Sequence, residues 1–252
     1  MFLACDIGNS RIKYALFKED ELIEYNSLKN ADSFFKIIRK KEFASAGISS
    51  VVPSRNQAVS GKIKKMSGIK PHILDKTFPF SFKINYETLD TLGIDRICSA
   101  EGAFQIIRRK SPEFTRKKNN YILTVDFGTA TTVNVLKMPG EFTGGMILPG
   151  IEMMFNSLKK NTEQLPAASI KDYKDLIGTG TNPSIASGVI NSNAGLIQIV
   201  CEYLRKKKAG EIKIFVTGGN AEKIIPFLNF DLIYEKALVL FGINAVCRRL
   251  KK

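Results

Sequence analysis

Residues 2–17 read Phe2-Leu3-Ala4-Cys5-Asp6-Ile7-Gly8-Asn9-Ser10-Arg11-Ile12-Lys13-Tyr14-Ala15-Leu16-Phe17, and the rest of the chain is interpreted from this segment. An apolar run ends at Asp6, the Gly8-Asn9 pair favours a tight turn, and the next run alternates polar and apolar residues. The pattern predicts a strand, a turn and a second strand. It places the Asp6 carboxylate at the mouth of a hairpin.

This turn carries residue types that bind nucleotides. Gly8 allows a positive φ or a close approach of the backbone to a ligand, and Asn9 and Ser10 offer small polar groups and exposed N–H donors. Asp6 provides a carboxylate for a metal ion, and Lys13 adds a cation for phosphate oxygens. Ordinary hairpins also contain Asp-x-Gly turns, so one copy alone leaves both interpretations open.

A second segment repeats the pattern 120 positions later, counted from Asp6 to Asp126. It reads Tyr121-Ile122-Leu123-Thr124-Val125-Asp126-Phe127-Gly128-Thr129-Ala130-Thr131-Thr132-Val133-Asn134-Val135-Leu136. Two such hairpins, one opening each half of the chain, indicate an internal duplication. We predict two domains, residues 1–118 and 119–252, joined by the polar segment 111–120.

The composition indicates a soluble protein without a metal or disulfide framework. The 252 residues are 44% hydrophobic and 25% charged, and the apolar stretch at 237–246 is too short to span a bilayer. Four widely spaced cysteines and one histidine, His72, argue against structural zinc and against Ser-His or Cys-His hydrolases. We expect a cytoplasmic protein with no membrane partner, in which an aspartate is the candidate base.

The formal net charge of +14 allows two interpretations: a nucleic-acid surface, or a basic cytosolic protein that attracts anionic ligands such as ATP. The lysines and arginines form small clusters spread along the chain, mostly at predicted helix ends and in loops. This distribution favours the second interpretation, without a nucleic-acid partner.

The segment Gly93-Ile94-Asp95-Arg96 precedes a predicted helix that runs through Ile107. Asp95 could cap this helix or act as a base, and the local sequence leaves both open. Arg96 opposes the helix dipole in the first turn, which suggests that it serves a ligand carboxylate. Upstream, the alternation over residues 78–86 predicts an edge strand.

The second half predicts a tightly turned strand over residues 142–150, a long helix after a small-residue loop at 178–188, and a last helix over about 238–250. A strand at 212–217 runs into a Gly-Gly turn, which would suit an adenine or ribose.

In this order the motifs resemble the acetate kinase, sugar kinase, heat-shock chaperone and actin superfamily, and within it the type III pantothenate kinases of coenzyme A synthesis. The motifs that carry the resemblance are Asp6-Ile7-Gly8-Asn9-Ser10, Ser50-Val51-Val52-Pro53, Gly93-Ile94-Asp95-Arg96, Asp126-Phe127-Gly128-Thr129-Ala130-Thr131-Thr132, Gly144-Gly145-Met146-Ile147-Leu148-Pro149-Gly150 and Thr217-Gly218-Gly219-Asn220-Ala221. The resemblance implies an α/β fold of two ribonuclease-H-like domains, with mixed sheets flanked by helices and an ATP cleft between the domains.

The resemblance also assigns roles to residues. Phosphates of ATP and their Mg²⁺ would be held by Asp6, Ile7, Gly8, Asn9, Ser10, Arg11, Ile12 and Lys13, with a further phosphate contact from Thr129. Asp95 would be the catalytic base, and the pantothenate site would be lined by Tyr86, Gly93, Ile94, Asp95, Arg96 and Thr181. Asp126 is similar to the family's ligand for K⁺ or NH₄⁺. The resemblance also implies an obligate homodimer.

The chain departs from the family pattern at Ser10, where the family usually has Thr, and in the irregular loop at 181–184. Two other functions remain open. One is a different small-molecule kinase on the same fold, because a fold alone does not decide the substrate. The other is a basic nucleic-acid-binding regulator with an inactive nucleotide cleft, against which the retained Asp6, Lys13, Asp95, Asp126 and Thr129 argue.

Overall fold

The structure, a computed structural model, describes residues 1–250. The strands are β1 (Phe2–Ile7), β2 (Ile12–Lys18), β3 (Glu21–Leu28), β4 (Ser45–Ser50), β5 (His72–Ile73), β6 (Lys83–Ile84), β7 (Tyr121–Phe127), β8 (Ala130–Lys137), β9 (Glu141–Pro149), β10 (Ile212–Thr217) and β11 (Leu232–Tyr234). The helices are α1 (Ala31–Ile38), α2 (Pro53–Ser67), α3 (Ile94–Lys110), α4 (Pro112–Arg116), α5 (Ile151–Lys160), α6 (Thr181–Lys206), α7 (Ala221–Ile224) and α8 (Leu238–Arg249), with short 3₁₀ turns at Leu89–Thr91, Ile170–Asp172 and Ile225–Phe227.

The chain divides into two units. Unit 1 contains Met1–Lys117, Leu136–Gly144 and the described residues from Ala237 onward, and unit 2 contains Lys118–Val135 and Gly145–Lys236. The sequence-based division at residue 118 would place α8 in the second domain, whereas its contacts lie within unit 1. Helix α8 packs on α3, β1 and β4 of unit 1, because its apolar side chains cover the sheet that contains β1 and β4.

Unit 1 is built on a sheet of order β3-β2-β1-β4-β5. β1 lies antiparallel to β2 and parallel to β4, and this register places Lys13 on one side of Asp6 and Ser49 on the other. Side chains alternate between the faces of a strand. Cys5 and Ile7 therefore face a core under α1 and α2, and Asp6 faces the opposite side of the sheet.

Helices α1 and α2 carry residue types that usually begin and end a helix. The Asn30 side chain accepts a hydrogen bond from the Ser33 N–H at 2.8 Å, which caps α1. Pro53 occupies the first turn of α2, and Gly68 ends that helix with φ +74°. The two helices cover one face of the sheet with Phe34, Phe35, Ile38, Val59 and Ile63.

Helices α3 and α8 cross at two glycines in unit 1. A Cβ on Gly102 would lie 2.1 Å from the Leu238 carbonyl oxygen, and a Cβ on Gly242 would lie 1.9 Å from the Cys98 carbonyl oxygen. Each glycine thus packs against a backbone carbonyl of the other helix, four residues before the glycine of that helix. Any larger residue at either position would separate the helices.

The second sheet has the order β11-β10-β7-β8-β9-β6, and its first five strands repeat the order of the first sheet, read as β5-β4-β1-β2-β3. β7 lies parallel to β10, with Asp126 beside Thr217 just as Asp6 lies beside Ser49. Helices α5 and α6 cover this sheet with Phe155, Val189, Ile197 and Leu204. The shared strand order agrees with the duplication that the two hairpins predict.

The structure differs from the sequence interpretation at four places. The alternation at 78–86 yields only the short β6, which pairs with Glu141 and Phe142, because residues 78–82 turn around α3 instead of extending. The expected linker contains α4, which Pro112 begins. β3 and β11 were not predicted, since neither shows a clean apolar alternation. Asp95 is not the cap of α3, because Gly93 occupies that position.

One helix, α6, is long and apolar enough to cross a membrane by length and composition. Over its most apolar window 56% is buried within the protein, and Val189, Ile190, Leu196 and Ile197 lie in the core of unit 2. A core helix of a soluble protein has the same properties, so α6 is explained by packing.

Candidate functional site

Asp6, the penultimate residue of β1 in unit 1, is a nearly buried carboxylate with 7% of its surface exposed. The Ser49 hydroxyl donates a hydrogen bond to its Oδ1 at 3.3 Å, and Lys13 is its antiparallel register partner. A buried carboxylate needs such partners to remain charged. The two neighbouring strands supply them, and they orient the carboxylate toward the face opposite the α1–α2 core.

The turn after Asp6 is closed by a hydrogen bond from the Gly8 N–H to the Arg11 carbonyl at 3.0 Å. Asn9, Ser10 and Arg11 are exposed at its tip, where their backbone and side-chain donors can meet an anion. Ile7 and Ile12 are also among the predicted nucleotide residues, but their side chains are buried in the core. These two residues can contribute only backbone groups.

Asp95 is the second residue of α3, and its Oδ1 accepts a hydrogen bond from the Arg96 N–H at 2.8 Å. A Cβ on the preceding Gly93 would lie 2.5 Å from the same oxygen, so a glycine leaves room for this carboxylate. The first turn of a helix stabilises negative charge. Asp95 is thereby held as a partly exposed carboxylate.

The Cys98 thiol of α3 lies within electrostatic reach of both Asp6 and Asp95. Burial raises the pKa of the Cys98 thiol well above its usual range, and the charges of Asp6 and then Asp95 raise it further. Two aspartates that are 89 positions apart, from 6 to 95, thus act on one buried sulfur in unit 1.

Arg96 and Tyr86 form a pair beside Asp95. Arg96 is only 6% exposed, its Nη1 lies 3.5 Å from the Tyr86 hydroxyl, and its Cζ lies 5.7 Å from the Tyr86 ring centroid. Gly144, with φ +102°, brings the backbone against this ring, because a Cβ there would lie 3.6 Å from it. Ile94 is buried behind the pair. A guanidinium held in this way suits a planar carboxylate.

Asp126 is the penultimate residue of β7 in unit 2, and its Oδ1 is a buried oxygen that has no hydrogen-bond partner within residues 1–250. Two glycines surround it. A Cβ on Gly128 would lie 3.1 Å from this oxygen, and one on Gly218, whose φ is +105°, would lie 2.5 Å from it. Buried polar atoms are nearly always satisfied. The donor set, one carboxylate oxygen in a cradle of small residues, fits a bound cation.

Thr129 and Thr181 also lie in unit 2. Thr129 is exposed at the tip of the second hairpin, and its carbonyl accepts a hydrogen bond from the Gly150 N–H at 3.0 Å. Thr181 is the exposed first residue of α6, directly after Gly180. Of the predicted substrate residues, Tyr86 and 93–96 gather within unit 1, whereas Thr181 belongs to the other unit.

Sequence reasoning missed two residues near Asp6. One is Ser49, which is fully buried and bonds to Asp6, and the pair Ser49-Ser50 after an apolar run was the available signal. The other is Tyr25 of β3. Burial raises the pKa of Tyr25, while the nearby charge of Lys13 lowers it and that of Asp6 raises it. The charges of Lys13 and Asp6 therefore both act on the Tyr25 side chain.

Over residues 1–250 there is no cluster of three or more His, Cys, Asp or Glu side chains placed to hold a metal ion. Mg²⁺ typically uses one or two carboxylates together with water and substrate phosphates. The single Asp6 carboxylate beside the exposed turn fits that mode of binding.

Comparisons with known proteins give one family. The sequence profile of the type III pantothenate kinases matches residues 2–203. The type III pantothenate kinase of Persephonella marina is 30% identical over 257 aligned positions, covering 96% of this chain and 96% of the relative.

Two solved structures share the fold. A conserved protein from Campylobacter jejuni, assigned to the Baf family of transcriptional activators, matches with a TM-score of 0.61 at 21% identity and covers 99% of this chain and 98% of that one. The ROK hexokinase of Thermus thermophilus matches with a TM-score of 0.50 at 9% identity and covers 100% and 99%. Both matches show that this chain shares its α/β fold with these structures.

Proposed function

This chain belongs to the type III pantothenate kinase family, and we propose that it transfers the γ-phosphoryl group of ATP to the hydroxyl of pantothenate. The product would be 4′-phosphopantothenate, and the reaction would be the first step of coenzyme A biosynthesis. The observation that carries the proposal is the placement of Asp6, Asp95 and the Arg96–Tyr86 pair in unit 1, each held by the contacts described above. Each provides a group that this reaction requires.

The first hairpin would bind the phosphates of ATP. Asp6 would hold Mg²⁺, which when bound with ATP neutralises charge on the phosphate oxygens. Lys13 and the exposed donors of Asn9, Ser10 and Arg11 would position the phosphates, and Thr129 would add a contact from unit 2. Phosphoryl transfer depends chiefly on such positioning and charge neutralisation.

Asp95 would accept the proton of the attacking hydroxyl. Its carboxylate is partly exposed, and the hydrogen bond from the Arg96 N–H orients it at the start of α3. The residue is thus suited to take up a proton for the duration of the step.

The buried guanidinium of Arg96 would bind the carboxylate of pantothenate. Its contact with Tyr86 fixes the direction of the side chain before the substrate arrives, which lowers the entropic cost of binding. Gly93 and Ile94 would line the same site. A kinase for an uncharged sugar would have less use for this arginine, so the pair favours an acidic substrate.

Asp126 would bind a monovalent cation, K⁺ or NH₄⁺. Its buried Oδ1, which has no hydrogen-bond partner among the described residues, and the two glycines around it support this role. The homodimer, the cytoplasmic location and the substrate contact of Thr181 are further proposals that rest on the family. For the dimer, exposed Ile199 and Tyr203 on α6 offer apolar surface that a second subunit could cover.

The test is ADP production from Mg-ATP by the purified protein with and without pantothenate, in potassium buffer and in sodium buffer. We expect turnover only with pantothenate, and faster turnover in potassium. Turnover that requires another alcohol would replace the substrate assignment, and equal rates in the two buffers would remove the cation assignment. Absence of turnover with pantothenate in both buffers would contradict the proposal.

A further inference from the structure

A basic pocket lies in unit 1 on the side of the first sheet away from Asp6. Its volume is about 480 Å³, and helices α1 and α2 line it together with the turn after β1 and the end of β3. Small-molecule sites in proteins have volumes of roughly 300–1,000 Å³. The pocket is therefore large enough for a ligand of modest size.

The floor of the pocket is apolar. Ile12, Phe35 and Val59 line it, and all three belong to the buried core under α1 and α2. Ile12 points to the face of β2 opposite Lys13, because neighbouring residues alternate along a strand. The pocket is thus separate from the surface that carries the Asp6 carboxylate.

The wall of the pocket carries four cations, Arg11, Lys29, Arg55 and Lys62, which come from the first turn, the β3–α1 connection and α2. It carries one carboxylate, Asp32, which is 97% exposed and lies 3.8 Å from the Lys62 ammonium. This carboxylate offsets only one of the four cations that line the pocket. The pocket therefore keeps a positive potential above an apolar floor.

We propose that this pocket binds a small anion with at least two negative charges on an apolar or aromatic body, such as a phosphate monoester. The cations would bind the charged group, and Phe35 and Val59 would contact the body. The Lys62 ammonium already lies 4.1 Å from the Phe35 ring centroid, so cation and aromatic surface are adjacent. This inference does not depend on the kinase reaction.

A small ligand fits better than a nucleic acid. The four cations surround one concave cavity, whereas single-stranded nucleic acids are bound along extended basic grooves with successive stacking surfaces. Arg11 lies both in this wall and at the tip of the first turn. Occupancy of the pocket would therefore also restrain the turn.

The test is calorimetric and fluorescence titration with 1-naphthyl phosphate and, for comparison, inorganic phosphate. Both are measured with the nucleotide site saturated by Mg²⁺ and a non-hydrolysable ATP analogue. We expect the naphthyl ester to bind more tightly than inorganic phosphate. Replacing both Arg55 and Lys62 by Ala should weaken binding at least tenfold, since charged hydrogen bonds contribute most of the affinity.

The matched control replaces Lys64 and Lys65 by Ala. These two lysines are exposed on the same helix but do not line the pocket. The control variant therefore has the same net charge as the Arg55 and Lys62 variant, but its charges are lost away from the pocket. Equal weakening in the two variants would show a diffuse effect of charge and overturn the proposal. It would also be overturned by loss of binding when the ATP analogue is present, or by an oligonucleotide that binds more tightly through Arg55 and Lys62.

Discussion

At the scale of single residues, the site in unit 1 depends on two aspartates with different surroundings. Asp6 is nearly buried and bonded to Ser49, whereas Asp95 is partly exposed at a helix start. The first environment suits a fixed ligand for a metal ion, and the second suits a group that exchanges a proton. This division of roles predicts the effects of substitution.

Asp95→Asn should lower kcat by roughly two to four orders of magnitude, because the amide cannot accept the hydroxyl proton. The affinity for ATP should change little. Steady-state kinetics and nucleotide titration measure the two effects. Asp90→Asn is the matched control, since Asp90 is an exposed acid just before α3. Wild-type turnover in Asp95→Asn would exclude Asp95 as the base.

Asp126→Asn should abolish the response to potassium, because it removes the charge from the buried oxygen in the glycine cradle. In the wild type, a cation that binds only the folded state should raise the melting temperature in potassium relative to sodium. Melting curves in both salts test this without any activity assay. Asp231→Asn, an exposed acid in the same unit, should keep the potassium response. A potassium shift that survives in Asp126→Asn would place the cation elsewhere.

At the scale of elements, the close crossing of α3 and α8 requires Gly102 and Gly242. A helix at 94–110 and another at 238–249 follow from periodicity, but their contact does not. The pairing depends on two glycines 140 positions apart, counted from 102 to 242. Each removes a side chain where a backbone carbonyl of the other helix passes.

Gly242→Ala should destabilise the protein by about 1–3 kcal/mol or more, because the added Cβ would lie 1.9 Å from the Cys98 carbonyl oxygen. Gly61→Ala is the control. Gly61 lies within α2, and a Cβ added there would have no neighbouring atom within 4 Å, so this change should stabilise the helix by roughly 1 kcal/mol. Urea unfolding measures both. Equal changes in the free energy of unfolding for Gly242→Ala and Gly61→Ala would contradict the close contact of α3 and α8.

At the scale of the whole molecule, the chain end is tied to the first half of the sequence. Arg249 of α8 donates to the fully buried Glu101 of α3 at 2.7 Å and to the Pro79 carbonyl at 2.7 Å. Ser81 and Gln105 complete the hydrogen bonds of that carboxylate. Residues separated by most of the chain thus form one network in unit 1.

Arg249→Met should cost about 3–5 kcal/mol, because it leaves a buried carboxylate without its cation. Arg249→Met combined with Glu101→Gln should recover much of this loss, since no unpaired charge remains. Chemical denaturation of both variants measures the effect. If Arg249→Met alone is as stable as the wild type, water satisfies the Glu101 carboxylate and the prediction is wrong.

Sequence periodicity and turn chemistry determined the two Asp-x-Gly hairpins and several helices, because these signals are local. The roles of the candidate site residues follow mainly from the family resemblance and stay predictions. The strand patterns around residues 2–17 and 121–136 were confirmed. Residues 78–86 were predicted wrongly as one long edge strand, because the turn around Glu101 outweighs local alternation.

Only the tertiary structure decided which unit holds α8, that Asp6 and Asp95 both act on the Cys98 thiol, and that Ser49 and Tyr25 lie beside the site. It also revealed the basic pocket, whose cations come from three separate segments. The physical reason is the same in each case. These features depend on contacts between residues far apart in sequence, and the free energy of burial that selects such contacts leaves no local pattern.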